Sequence, residues 1–188
     1  FILATTYGFP IEVTLELAKE KGVEIDIVDF NQKMSEHQKL SQTSSAGMFK
    51  GGLANHNEAT IKLHTAHHLL LAALQQVLGP EVKQRGSNIT EERLRIDFAF
   101  DRKMTDEEKK RVEDIVNDAI SKDLKVTKRD MPLAEAQALG AEMEFGAKYG
   151  DTVSVYFIED ENGNAFSKEF CGGPHVEYIG NLGKFKIQ

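Results

Sequence analysis

The run Leu94-Arg95-Ile96-Asp97-Phe98-Ala99-Phe100-Asp101, continued by Thr105-Asp106-Glu107-Glu108, decides the fold class. Leu94, Ile96, Phe98 and Phe100 alternate with charged neighbours, the period-two pattern of a strand with one wet face. Thr105 and Glu108 then have the spacing of a capping box, and Val112, Ile115, Val116, Ala119 and Ile120 recur at helical spacing behind it. A half-wet strand feeding an amphipathic helix predicts an α+β domain.

Upstream, Leu63, Leu70, Leu71, Leu74, Val77 and Leu78 make a helical face that stops at Gly79-Pro80. Downstream, Leu124 to Lys128 reads as a short strand, Pro132 opens a helix running to Leu139-Gly140, and Val153, Val155 and Phe157 alternate as a strand. Asn162-Gly163 predicts a hairpin turn into Ala165 to Phe170, which delivers Cys171 to its end. The expected architecture is helices packed on one side of a largely antiparallel sheet. Residues 1 to 45 differ in period. Pro10, Ile11, Leu15 and Ala18 predict a helix ending at Lys21-Gly22, and Asp26 caps a second carrying Ile27, Phe30, Met34 and Leu40. The small polar stretch Gln42 to Gly47, with Gly51-Gly52, reads as a linker. This divides the chain into a helical segment 1–45, a linker 46–56 and a larger domain 57–188.

The chain has 188 residues, 40% hydrophobic and 28% charged, a globular composition that excludes disordered and collagen-like classes. No apolar run approaches the ~20 residues of a membrane span. One cysteine excludes an internal disulfide and fits a reducing compartment, so a cytoplasmic location is expected. A net charge of −7 argues against broad nonspecific nucleic-acid binding, though a local basic face can hold a polyanion. Because residue 1 is Phe within Phe1-Ile2-Leu3-Ala4, the chain is expected to be a piece of a longer one.

The chemistry concentrates in two short motifs. In His64-Thr65-Ala66-His67-His68, the first and last histidines lie about 40° apart on one helix face, one turn from each other, and His67 points elsewhere. Cys171-Gly172-Gly173-Pro174-His175 adds a thiol and an imidazole after a strand. Together they form a Cys-His₃ set, whose softness favours zinc over magnesium or calcium. A histidine pair in a leucine-rich helix is also ordinary core-edge packing, and a lone cysteine is ordinarily a buried apolar residue.

These motifs, with Thr6-Tyr7-Gly8-Phe9-Pro10, Phe49-Lys50-Gly51-Gly52-Leu53-Ala54, Leu94 to Phe98 and Phe145-Gly146-Ala147-Lys148-Tyr149-Gly150-Asp151, stand in an order that resembles the alanyl-tRNA synthetases. The resemblance covers nearly the whole chain. It implies that residues 1–45 end a helical tRNA-recognition region and that the remainder is an editing domain akin to free-standing alanyl-tRNA deacylases. Two departures stand out. Ser45 to Asn55 leaves no room for the β-barrel that the family usually carries there, and Pro174 replaces the family's usual threonine, as in the related threonyl-tRNA synthetase editing domain.

What the resemblance implies is hydrolysis of Ser-tRNA(Ala), and of Gly-tRNA(Ala), at the ester to the terminal ribose, with tRNA(Ala) as partner and one zinc ion on His64, His68, Cys171 and His175. A pocket for alanine rejects serine poorly, so correction must follow charging. Gln84, in a segment that the family uses in its editing pocket, is the catalytic candidate. Thr65 and Ser87 are the substrate-binding candidates. Lys122, Lys125, Lys128 and Arg129, and a second group of Lys83, Arg85, Arg93 and Arg95, are candidate tRNA contacts, although such runs are commonly solvated faces. ATP chemistry belongs to aminoacylation motifs that would precede Phe1. Two other readings stay open: a noncatalytic zinc-stabilised tRNA-binding module and a zinc hydrolase of small esters.

Overall fold

The computed structural model describes residues 1–7, 11–45, 53–143 and 147–188. The chain divides into two compact units, Phe1–Phe49 and Lys50–Gln188.

The first unit holds α1 (Ile2–Tyr7), α2 (Ile11–Glu20) and α3 (Ile27–Ser45). Helix α2 stops as its sequence suggests: Gly22 takes φ +66°, its N–H bonds to Lys19, and the Val23 N–H reaches back to Ala18, a Schellman stop. Asp26 caps α3 by accepting the Asp29 N–H at 2.9 Å. No residue of α2 is buried, and Phe30 on α3 is the one described hydrophobic side chain of this unit that is. Pro10 and most of the linker stretch, up to Gly52, lie outside the described residues. Leu53 and Ala54 are described: Leu53 pairs with Ile89 as an isolated parallel bridge, and the Ala54 N–H donates to the Ile89 carbonyl at 2.9 Å.

The second unit is built on α4 (Glu58–Leu78), capped by Asn57, whose side chain accepts the Thr60 N–H at 2.9 Å. Every residue from His64 to Leu74 is buried, so this helix is enclosed on all sides rather than amphipathic. Against it pack α5 (Asp106–Ser121), the hairpin β1 (Gln84–Ile89) and β2 (Leu94–Phe98), and the end of β5 (Ala165–Phe170). Leu69, Leu74, Val112, Val116 and Ile158 form the centre of this core. Helix α5 begins with the expected capping box: the Glu108 N–H donates to Thr105 Oγ1 and the Thr105 N–H to Glu108 Oε2. Arg102 adds a bidentate pair at 2.7 and 2.8 Å, and these partners hold the Glu108 carboxyl down at about 2.

The strands are antiparallel but lie in two pieces, β1-β2 and the three-stranded β3-β4-β5. Strand β3 (Lys125–Pro132) runs four residues beyond its expected end and β4 spans Thr152–Glu159, with α6 (Leu133–Ala138) between them. The β4–β5 turn is wider than a two-residue hairpin: Asp160 gathers the N–H groups of Asn162 and Asn164, and Gly163 sits at φ +80°. One face of this sheet buries Met131, Val153, Val155, Phe157 and Phe170. The other turns Ile158, Tyr156, Ser167 and Glu169 toward α4, and that face carries the site.

Candidate metal centre

Helix α4 and the segment following β5 meet at Cys171. Its Sγ is 3.4 Å from His64 Nε2 and 3.2 Å from His175 Nε2, and one ligand atom from each of His64, His68, Cys171 and His175 lies within 4.8 Å of all the others. Around a tetrahedral ion with ordinary zinc bond lengths, a nitrogen–sulfur edge measures about 3.6 Å. The observed edges are close to that, so the four donors fit one ion of zinc's size and softness.

The remaining ring nitrogens settle which atom faces inward. His64 Nδ1 donates to the Pro174 carbonyl at 3.0 Å, leaving Nε2 with its lone pair toward the sulfur. His175 Nδ1 lies 3.1 Å from Thr65 Oγ1. That hydroxyl donates to Ile61 O and accepts the Val176 N–H, so its remaining lone pair takes the His175 Nδ1–H. Thr65, read as a substrate-binding candidate, has its hydrogen-bonding capacity used up in this way; it orients His175 and joins α4 to the cysteine segment. The Gly173 N–H points at Cys171 Sγ at 3.3 Å, a contact that fixes the sulfur's direction. Gly173 sits at φ +66°, and a Cβ there would meet the Tyr156 hydroxyl, so glycine is required on both counts.

Burial holds the imidazoles neutral. His64 is pulled down to about 4, with the Pro174 hydrogen bond acting the other way, and His67 to about 3. His68 and His175 lie well below 6.5, first through burial and then through neighbouring imidazoles. Neutral rings keep their lone pairs for metal at physiological pH. A pH dependence follows for the metal-free chain. Unfolded histidines take up protons near 6.5 while His64 in the fold resists until about 4, so stability is lost as pH falls through that window. Glu169, raised by burial to about 8, acts oppositely: its contribution is present below 4.5 and is lost as pH rises through about 8. With four histidines against one carboxyl, thermal melts of metal-free protein should show the midpoint falling between pH 6.5 and pH 4. A rising midpoint would contradict the neutral, buried cluster.

His67 does point away from the four, but it is buried, and its Nε2 has no partner. It forms a second close set with His68 and Glu169. Glu169 was not among the residues singled out, yet the signal was available: Ser167, Glu169 and Cys171 alternate along β5 and beyond, so an acidic residue shares the face of the thiol. Gln84 opens β1 half-buried, opposite Phe98, and no hydrogen bond ties it to the four. The register shifts between Gln84 and Gly86, a bulge that re-aims side chains at the strand's start. Ser87 is half-buried opposite Ile96.

The basic candidates do not form one patch. Lys122 pairs with Asp118 at 2.6 Å and Lys128 with Asp130 at 3.2 Å, while Arg129 pairs with Glu159 and lies over the Phe157 ring, on the other face of the sheet from Lys128. Lys125 is exposed at the start of β3. Lys83, of the second group, binds Glu142 at 2.7 Å. Among the described residues, no helix is long and apolar enough to cross a membrane.

Residues 1–116 match the family model described as "tRNA synthetases class II (A)", and residues 153–188 match "Threonyl and Alanyl tRNA synthetase second additional domain". All 188 residues align with alanine–tRNA ligase of Treponema denticola at 54% identity and with that of Borreliella burgdorferi at 55%, covering 30% and 31% of those proteins. The ligase of Acidithiobacillus ferridurans is 47% identical over 129 residues, 69% of this chain and 14% of that protein. The chain thus spans less than a third of the length of the curated relatives it matches. With the order of its motifs, the α+β fold that carries them, and two family models agreeing along the sequence, the chain belongs to the class II (A) tRNA synthetases, is similar to alanine–tRNA ligases over its whole length and carries a match to the second additional domain.

Proposed function

We propose that this region hydrolyses Ser-tRNA(Ala) at the ester joining serine to the terminal ribose, correcting mischarging by a ligase that attaches alanine to tRNA(Ala) with ATP. The observation that carries the reading is the convergence of His64, His68, Cys171 and His175 in a domain of this family. When bound by these four residues, zinc would supply a Lewis acid beside the ester or a clasp for the fold. The chain's own groups supply the rest. His175 is the least enclosed of the four, so approach runs past it and the Gly172–Pro174 segment. An amide at Gln84 can accept and donate at once, which suits it to hold a serine hydroxyl or a water. A group that bonds the serine hydroxyl is left unpaired by alanine, and discrimination follows.

The test compares release of serine and alanine from tRNA(Ala) by the purified chain. Ser-tRNA(Ala) should be hydrolysed faster, and Gln84→Ala should lower that rate by about 100-fold, the ordinary scale of acid–base assistance, with metal content unchanged. Equal rates on both aminoacyl-tRNAs, or an unaffected Gln84→Ala variant, would reject the respective assignment. A second reading, a noncatalytic zinc-stabilised tRNA-binding module, draws on the presence of four protein ligands, the number that closes a structural site. It gives tRNA binding without deacylation.

A further inference from the structure

Resting on the metal reading, we propose that Glu169 is the positioning residue of the metal centre, fixing His68 through Nδ1. Each of the other two sets of ring contacts is complete: His64 turns Nδ1 to the Pro174 carbonyl and His175 turns Nδ1 to Thr65. His68 has Nδ1 facing Glu169 Oε2 at 3.7 Å, a little beyond hydrogen-bond length, and the carboxylate is braced on its other oxygen by Ser167 Oγ at 3.1 Å. A small approach of the two side chains completes the third pair, so that every ligating imidazole is held by an outward N–H.

Burial keeps the pair together: His68 and Glu169 are only 3% and 6% exposed, so neither side chain has solvent to turn to. The nearby acid Glu142, which bridges to Glu169 through the backbone, has its own carboxylate bound by Lys83 at 2.7 and 2.8 Å. It therefore does not compete for His68.

The test titrates zinc into the full chain and its Glu169→Gln and Ser167→Ala variants against a chromophoric chelator, with circular dichroism to follow the fold. Glu169→Gln should bind zinc 10–100-fold more weakly, Ser167→Ala less severely so, and each protein should take one equivalent. Cobalt(II) spectra should keep the thiolate band while the ligand-field bands shift in Glu169→Gln. Affinity within twofold of wild type in Glu169→Gln overturns the proposal. So does a wild-type chain that takes two equivalents and a Glu169→Gln variant that takes one, because Glu169 would then be a ligand in the His67–His68–Glu169 set. Should Glu169→Gln fail to fold, Ser167→Ala decides, and unaltered affinity there overturns it. A wild-type chain that binds no zinc removes the metal reading itself.

Discussion

Cys171→Ala is expected to abolish retention of zinc through dialysis against a chelator and to erase the thermal stabilisation that zinc gives the wild-type chain. The thiol is 4% exposed and contacts His64 and His175 Nε2, so it occupies the middle of the donor set rather than its rim. Alanine leaves three neutral imidazoles and no negative ligand against a dication in a dry site. For wild type at a thousandfold excess of zinc over its Kd, mass action gives about 4 kcal/mol, a midpoint shift on the order of 10 °C for a domain of this size. Melts with and without zinc read this directly. A Cys171→Ala chain that keeps the shift would mean that the ion sits elsewhere.

Leu69→Ala should destabilise the second unit by about 2–5 kcal/mol, the range for emptying a closed leucine site. Leu69 is fully buried, follows His68 immediately, and packs in the core with Leu74, Val112, Val116 and Ile158. The loss should appear as a lower denaturant midpoint, with zinc affinity falling too because α4 carries two ligands. Val13→Ala on α2 is the control: Val13 is 39% exposed, and its change should stay within about 0.5 kcal/mol. Similar effects at both positions would contradict the burial pattern.

These contrasts mark where the sequence was readable. Helices α4 and α5 announced themselves through period and caps, and the His64–His68 spacing followed from α4 once its helicity was accepted. Strand β3 was read short because Lys128, Arg129 and Asp130 are exposed; at the edge of its sheet, with Met131 its one buried side chain, it has no alternation to display. Strand β1 has a bulge at its start and a mixed burial pattern, so Gln84 to Ile89 lacked a periodic signal. The pairing of Thr65 with His175 and Val176 was invisible because it spans the whole domain, and spacing within a motif says nothing of what lies opposite.

That span has a kinetic meaning. The contact between Cys171 and His64 joins positions 107 residues apart, and the one between Val176 and Thr65 joins positions 111 apart. Closing so long a loop is entropically slow, and the gain arrives only after the intervening strands are paired. On a ribosome, α4 emerges with its histidines long before Cys171 and His175 exist to meet them. The donor set is therefore assembled last, after the scaffold, and an ion captured there locks a topology already reached instead of nucleating it.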